Sequence, residues 1–281
     1  MIDFEFEFQY AEAKLPILRQ VGGGIPAGRC VVLCGGSGCG KSTLLRCING
    51  LIPQFYEGEL KGFCRLNGQD TAGIRIGEIG ELAASVFQDP RSQFFTVNSS
   101  NEVAFGLENH GLPQDKIRRR VDEAFRIFHL ERLKDRNVYE LSSGERQLIS
   151  ILSAWAMDTD IFLLDEPTAN LDFAATQQLK EILLALKTQG KTLLLSEHRL
   201  CDVQPYSIQK GVFHHVHCAG PRFGDSFYHF CHVFRCVNGM AVMLRRGWRR
   251  SSGASAQGFP TVSVSLPRRQ ASRPKQQEPA P

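Results

Sequence analysis

The fold is decided by residues 30–45, which read CVVLCGGSGCGKSTLL. The apolar run Cys30–Cys34 predicts a buried strand, and an apolar helix is predicted to begin at Leu44. Between them, residues 35–42 match the pattern G-x-x-x-x-G-K-[ST]. Glycines allow backbone angles that turn successive N–H groups toward one anion, and a helix N-terminus favours negative charge. The stretch therefore predicts a phosphate-binding loop between a strand and a helix.

Two side chains of this loop indicate what it binds. Lys41 offers a mobile positive charge for the β- and γ-phosphates of a nucleotide, and the Ser42 hydroxyl is a suitable ligand for Mg²⁺. A chance glycine-rich turn is the competing explanation. The order of strand, loop and helix argues against that explanation, because the motif requires this context.

A second apolar run, Ile161–Leu164, ends in the adjacent acids Asp165 and Glu166. Because successive side chains of an extended strand point to opposite sides, we predict that the two carboxylates divide their tasks. Asp165 is the candidate for the Mg²⁺ shell, and Glu166 is the candidate for orienting or deprotonating an attacking water. A strand that simply ends in solvated acids is the alternative.

Further apolar runs, at residues 83–87 and 192–195, predict additional strands of a mostly parallel, buried sheet. Residues 3–10 alternate between aromatic and polar side chains, which predicts an antiparallel edge strand. Between the strands, residues 99–150 have helical periodicity and predict an inserted helical subdomain. Its second helix has one apolar face, made by Ile117, Val121, Ala124, Phe125 and Phe128.

Two local features of this insertion have their own predictions. Ser99 and Glu102 have the spacing of a capping box that would open its first helix. The run Arg118-Arg119-Arg120 is predicted to be a solvated helix face in preference to a nucleic-acid site.

Composition limits the possible classes of protein. With 281 residues, 42% hydrophobic and 22% charged, the chain can bury a sizeable core, which excludes wholesale disorder. It contains no uninterrupted apolar run of about 18 residues, and its acidic start does not resemble a signal peptide, so a cytosolic protein is expected. Nine cysteines without a CxxC pair fit a reducing compartment.

Charge and texture change toward the C-terminus. Residues 1–200 carry a net charge of −4 and residues 201–281 a net charge of +8, so the total does not describe a uniformly basic surface for nucleic acid. Three interpretations of residues 205–281 stay open. The first is a metal site built from the crowded histidines and cysteines. The second is a basic and partly disordered regulatory arm that touches anionic lipid. The third, which we favour, is that the segment is not family sequence and comes from translation in a shifted frame or from a divergent fusion.

Residues 141–147, LSSGERQ, precede the Asp165 strand and resemble the LSGGQ signature of ATP-binding cassette (ABC) ATPases. Gln88 in FQDP, Asp172 in ANLD and His198 in SEH follow the order of the same family. The resemblance covers about residues 1–204. It implies a P-loop NTPase of the α/β class, with a mostly parallel core sheet, an antiparallel N-terminal β part and a helical signature subdomain at about residues 99–150.

The resemblance also implies roles for individual residues. Glu166, His198, Gln88 and Lys41 are expected to be catalytic, with Gln88 also sensing Mg²⁺ alongside Ser42 and Asp165. ATP is expected to contact the following residues: Gly35, Gly36, Ser37, Gly38, Cys39, Gly40, Lys41, Ser42, Thr43, Tyr10, Ser142, Ser143, Gly144, Glu145 and Asp172. Tyr10 stands where the family often stacks an aromatic ring on adenine, and a place in the core is the equal alternative. Taken singly, each of Gln88, Asp172 and His198 also has an ordinary explanation. Gln88 fits a strand-end amide, Asp172 fits a helix cap, and His198 fits a histidine at a strand terminus whose hydrogen bonds are satisfied.

Residues 86–95 and 102–109 look like the ATPases of energy-coupling factor (ECF) importers, which take up vitamins and transition-metal ions. This resemblance implies three partners, which are a second ABC domain, a transmembrane coupling subunit and a substrate-binding membrane subunit. It also implies that the chain lies on the cytoplasmic face of the membrane. No nucleic acid is expected. The alternatives are a soluble ABC protein acting on ribosomes or DNA, and a remnant that binds nucleotide without turnover. Two departures from the family are Ser143 and Glu145 in the signature, and the loss of family-like strands and helices after Leu200.

Overall fold

The computed structural model describes residues 1–34, 36–169 and 171–197, and the backbone of residues 214–215, 234–237 and 240–243; Cys34 is described by its backbone alone. In chain order the strands are β1 (Ile2–Tyr10), β2 (Leu18–Ile25), β3 (Cys30–Cys34), β4 (Gly58–Leu66), β5 (Gln69–Asp70), β6 (Ala83–Val86), β7 (Ile161–Asp165), β8 (Thr192–Glu197), β9 (His214–His215), β10 (Phe234–Val237) and β11 (Met240–Met243). The helices are α1 (Lys41–Ile48), α2 (Leu51–Gln54), α3 (Ile76–Leu82), α4 (Ser99–Asn109), α5 (Gln114–Ile127), α6 (Ser143–Ala156) and α7 (Phe173–Thr188).

The parallel core has the predicted strands. β3, β8, β7 and β6 lie side by side in that order, and every pair is parallel. All five residues of β7 and all six of β8 are buried, which explains why these strands are continuous apolar runs. Because parallel strands end at one edge of the sheet, the residues after β3, β7 and β8 lie close together.

The N-terminal sheet is antiparallel, as predicted, but the prediction of an edge strand was wrong. The strand order is β2-β1-β4-β5, so β1 pairs on both sides. Phe4, Phe6 and Phe8 are buried on one face, in agreement with the alternation. Alternation reports which face is buried and carries no information on how many neighbours hydrogen-bond to the strand.

Two predicted helix starts were wrong. α1 begins at Lys41 and not at Leu44, because Gly40 adopts φ 101° as its N-cap and the helix starts within the phosphate loop motif. α4 is capped by Asn98, whose side chain accepts the N–H groups of Ser100 and Asn101. Of the predicted capping-box residues, Ser99 instead donates to the Leu133 carbonyl, and Glu102 accepts the N–H groups of Phe95 and Thr96.

The inserted helices pack as their periodicity predicts. Ile117, Val121, Ala124 and Phe125 of α5 are buried, and Phe128 follows them into the core. The solvated arginine face is confirmed for Arg118 and Arg119, which are exposed. Arg120 differs, because its guanidinium lies 3.9 Å from the centre of the Trp155 ring and 3.0 Å from the Asp158 carboxylate.

The C-terminal segment contains three short strands that its sequence texture did not predict. β10 and β11 form an antiparallel hairpin, β11 pairs with β3, and β9 also pairs with β3. These strands extend the parallel sheet beyond β3. The histidine and cysteine side chains for which a metal site was considered lie outside the described residues, as do the other parts of residues 205–281 and the second compact unit, residues 246–281.

Candidate functional site

The phosphate loop lies between β3 and α1, at the carboxyl edge of the parallel sheet. Gly36, Ser37 and Gly38 are exposed, so their backbone is open to a ligand. Gly40 is buried, and a Cβ atom there would lie 3.0 Å from Leu18 Cδ2. Its positive φ and this close approach together explain why glycine stands at the start of the helix. Gly35 lies outside the described residues.

Lys41 is folded back into the loop. It is 4% exposed, and its Nζ donates to the Gly36 carbonyl at 3.2 Å and lies 3.8 Å from Glu166 Oε1. A buried ammonium group needs anionic or carbonyl partners, and both are present here. The geometry therefore places a positive charge between the phosphate loop and the acidic pair.

The oxygen atoms around Asp165 form one connected group. The Ser42 hydroxyl donates to Asp165 Oδ1 at 3.0 Å, and the Ser196 hydroxyl donates to the same oxygen. Ser42 comes from the first turn of α1, Asp165 from the end of β7 and Ser196 from β8. Carboxylate and hydroxyl oxygens are the donors that Mg²⁺ prefers, so the donor chemistry fits the predicted metal.

Glu166 leaves the sheet in a different way from the one predicted. It lies one residue beyond β7 with φ 48°, in the left-handed region, so strand alternation does not separate it from Asp165. Its N–H is within bonding distance of the Ser196 hydroxyl at 3.0 Å and of the Ser196 carbonyl at 3.1 Å. Left-handed geometry is uncommon for a residue with a side chain, and here it is fixed by the neighbouring strand.

Gln88 reaches Glu166 from the loop after β6. Its Nε2 donates to Glu166 Oε2 at 2.8 Å, although Gln88 is otherwise exposed. Gln93 fixes this loop, because it accepts the Phe87 N–H at 3.2 Å and donates to the Ser85 carbonyl at 3.1 Å. The predicted residues Lys41, Ser42, Gln88, Asp165 and Glu166 thus form a single site.

Sequence reasoning missed Ser196 and Gln93 as supports of this site. Ser196 was marked by its position as the first polar residue at the end of the apolar run of β8, beside Asp165 in the sheet. Gln93 had no comparable signal. His198, which was expected to contact the γ-phosphate, lies outside the described residues.

Tyr10 lies at the end of β1, next to the first turn of α1. Its hydroxyl is 3.1 Å from the Thr43 hydroxyl, and its ring meets Phe8 edge-on at 4.7 Å between ring centres. Tyr10 is half-buried, so one part of the ring packs in the core and the other is accessible. Stacking on adenine stays a prediction.

The signature segment forms the N-terminus of α6. Ser142 is the N-cap and accepts the Glu145 N–H at 3.1 Å, while Glu145 Oε2 accepts the Ser142 N–H at 3.0 Å. Ser142 and Ser143 are exposed, and Gly144 is buried. Asp172 caps the neighbouring helix α7 by accepting the Ala175 N–H at 2.7 Å, so the helix-cap alternative for Asp172 is present in the structure.

Gly144 is expected to tolerate no larger residue. A Cβ atom at Gly144 would lie 2.8 Å from the Ala175 Cβ. Gly144→Ala should therefore destabilise the chain by about 1–3 kcal/mol through overpacking, measured by urea unfolding. The control is Gly77→Ala in α3, where a Cβ atom would meet nothing within 4 Å and helix propensity favours alanine. Equal stability of the two variants would contradict this packing argument.

Comparisons with known proteins identify the family of the chain. The family model described as ABC transporter matches residues 18–169, more than half of the chain. The chain belongs to the ABC transporter family. An ABC transporter ATP-binding protein of Treponema denticola is 42% identical over 193 residues, and this match covers 69% of the chain and 40% of the relative. An ABC transporter ATP-binding protein of Methanosarcina mazei is 37% identical over 199 residues, and this match covers 70% of the chain and 33% of the relative.

Solved structures share the ABC fold. CbiO1 of Clostridium perfringens, described as part of the ABC transporter complex cbiONQ, has a TM-score of 0.65 at 30% identity, with 73% of this chain and 81% of that chain covered. The ATP-binding cassette MJ0796, a dimer in a post-hydrolysis state with ADP and Pi, has a TM-score of 0.64 at 22% identity. This match covers 77% of this chain and 93% of that chain. The latter supports the fold alone.

The chain spans about a third to two fifths of the length of the ABC relatives of Treponema and Methanosarcina. Within the described residues, no helix has the length and apolar character to span a bilayer. The same part of the chain contains no cluster of three or more His, Cys, Asp or Glu side chains arranged to hold a metal ion by themselves.

Proposed function

We propose that this ABC protein binds and hydrolyses ATP and thereby energises an ECF-type importer of a vitamin or a transition-metal ion. The observation that carries the proposal is the convergence of Lys41, Ser42, Gln88, Asp165 and Glu166 beside the phosphate loop. Lys41 supplies positive charge and Asp165 and Glu166 supply negative charge within a few ångströms, which suits a metal-bound polyphosphate. The likeness to CbiO1 supports the importer class.

Mg²⁺ fits the residues present. Ser42 and Asp165 would hold the ion. Gln88 belongs to the same site because it donates a hydrogen bond to Glu166, the residue after Asp165. When bound, the ion supplies charge neutralisation for the β- and γ-phosphates. The serine–carboxylate pair is already joined by a hydrogen bond of 3.0 Å, so both oxygens are directed to the same place.

The protein side chains account for the rest of the hydrolysis. Glu166 orients a water molecule for in-line attack on the γ-phosphorus and accepts its proton, a new P–O bond forms, and the bond to the β-phosphate oxygen breaks to leave ADP and phosphate. Lys41 stabilises the negative charge on the phosphoryl oxygens. Gln88 holds the Glu166 carboxylate by its 2.8 Å hydrogen bond.

A second ABC domain would complete the site. The exposed hydroxyls of Ser142 and Ser143, at the N-terminus of the 14-residue helix α6, form a favourable contact for phosphate. Asp172 begins the adjacent helix, and Gly144 and Ala175 hold the two helix starts together. We infer that these residues face the nucleotide of a partner, which can be an identical or a related chain.

The contact with the membrane subunits is assigned to a groove of about 340 Å³ beside the Gln88 loop. Phe87, Phe95 and Phe105 line it together with Met157. Phe95 is 73% exposed, and its ring stacks on Phe105 with 4.8 Å between centres. The exposed Phe95, stacked on the partly buried Phe105 next to a polar loop, suits a helix end from a membrane subunit. This contact supports our proposal that the chain works at the cytoplasmic face of the membrane.

Phe95→Ala should weaken this attachment at least about tenfold, because a large exposed anchor is lost while the core is retained. The measurement is co-purification and affinity with membrane subunits encoded beside the gene, expressed together with the full chain. Leu15→Ala is the control, since Leu15 is 66% exposed in the loop after β1.

Co-purification of the parent chain with ribosomes or DNA in place of membrane subunits would contradict the importer proposal. Uptake of labelled metal ions or vitamins by the assembled complex identifies the solute.

A further inference from the structure

The first turn of α6 carries a negative charge where the proposed function requires phosphate to bind. The capping box fixes the Glu145 carboxylate against the backbone of Ser142, beside the exposed Ser143. The Ser142 oxygen accepts the Glu145 N–H, and its hydroxyl hydrogen is still able to donate. A carboxylate at the start of α6 opposes the approach of a triphosphate, because like charges repel.

Arg132 places a compensating charge next to this carboxylate. Its Nη1 donates to Glu145 Oε1 in a short contact, and its Nη2 donates to Gln178 Oε1 at 3.4 Å. Arg132 belongs to the short 3₁₀ turn Glu131–Leu133 after α5, whereas Gln178 is on α7. Contacts to two separate helices hold the guanidinium over the first turn of α6.

The charge on Glu145 is permanent at neutral pH. Partial burial opposes ionisation, but hydrogen bonds from the Ser142 N–H and from Arg132 hold the pKa of Glu145 below its ordinary value. Protonation therefore does not remove the repulsion near neutrality. A neighbouring cation is needed to offset the charge of the Glu145 carboxylate.

We propose that Arg132 is a positioning residue that neutralises Glu145 and thereby allows the start of α6 to accept the phosphates of a nucleotide held by a partner ABC domain. The inference rests on the proposed function, because it needs a nucleotide between two ABC domains. Arg132 acts through Glu145 and not by contact with the nucleotide. The start of α6 at Ser142 and Ser143 then faces the phosphates without an opposing net charge.

The test uses the full chain in a Glu166→Gln background, in which ATP should accumulate the closed dimer. Arg132→Gln should raise the dimer dissociation constant about tenfold, because a symmetric dimer contains two such turns and a roughly threefold loss applies at each. Adding Glu145→Gln should bring the constant back to within about twofold of the background. Glutamine retains the capping box, so the rescue removes the charge and not the cap. Sedimentation with Mg-ATP gives the constants.

Arg118→Gln is the matched control, since Arg118 is an exposed arginine on α5 and its loss changes the net charge equally. Raising the salt concentration should shrink the Arg132→Gln defect, because screening weakens the repulsion. An unchanged constant in Arg132→Gln overturns the inference. A loss that Glu145→Gln does not rescue, accompanied by a lower melting temperature, also overturns it and shows that Arg132 is a structural brace. Absence of any ATP-dependent dimer in the background contradicts the proposed function as well, whereas an intact dimer without an Arg132 effect contradicts this inference alone.

Discussion

Replacement of Lys41 by alanine is expected to abolish ATP hydrolysis and weaken nucleotide binding. The variant loses the ammonium that lies between the Gly36 carbonyl and Glu166, so charge on the phosphates is left uncompensated. Loss of one such electrostatic contact lowers turnover by about 100-fold or more. The measurement is the steady-state rate of phosphate release with Mg-ATP, together with the affinity for a labelled ATP analogue.

Lys61→Ala is the control for this experiment. Lys61 is a lysine of the antiparallel sheet whose side chain is 61% exposed and lies near Glu59 and Glu7. Its removal should leave turnover and binding unchanged. Full hydrolysis by the Lys41→Ala chain would contradict the assignment of residues 35–42 as the nucleotide loop.

Glu166→Gln is expected to separate binding from hydrolysis. Glutamine retains the shape of the side chain and can still pair with Gln88, but it cannot accept a proton from water. Turnover should fall by about 100- to 10,000-fold, the usual contribution of a general base. ATP should remain bound, and the dimer should accumulate in sedimentation experiments.

Glu78→Gln serves as the matched control, because Glu78 pairs with Arg75 on an exposed part of α3. It should hydrolyse ATP at the parental rate. If Glu166→Gln does so too, Glu166 is not the general base. Asp165 would then need to be reconsidered for that role.

The site was predictable wherever chemistry depends on residues close together in the chain. The phosphate loop, its lysine and serine, and the two acids at the end of the β7 run were recognised because a strand, a loop and a helix have local signatures. The buried face of α5 followed from helical spacing in the same way. The family resemblance extended this to Gln88 and to the ABC assignment, which the family model confirms.

The errors arose where structure depends on partners distant in the chain. The two-sided pairing of β1 is set by β2 and β4, which no pattern within β1 reveals. Ser99 and Glu102 had the right spacing for a cap. Asn98 caps α4 instead, because Ser99 binds the Leu133 carbonyl and Glu102 binds the N–H groups of Phe95 and Thr96. The left-handed backbone of Glu166 likewise depends on Ser196 of a neighbouring strand.

The hydrogen bonds of Gln93 have a mechanical consequence. By joining the Phe87 N–H and the Ser85 carbonyl, its side chain ties the segment that contains Gln88 into a small ring. Phe95, the exposed aromatic of the groove, follows this ring by two residues. We therefore expect a displacement of Phe95 to move this ring as a unit and to shift the amide that holds the Glu166 carboxylate.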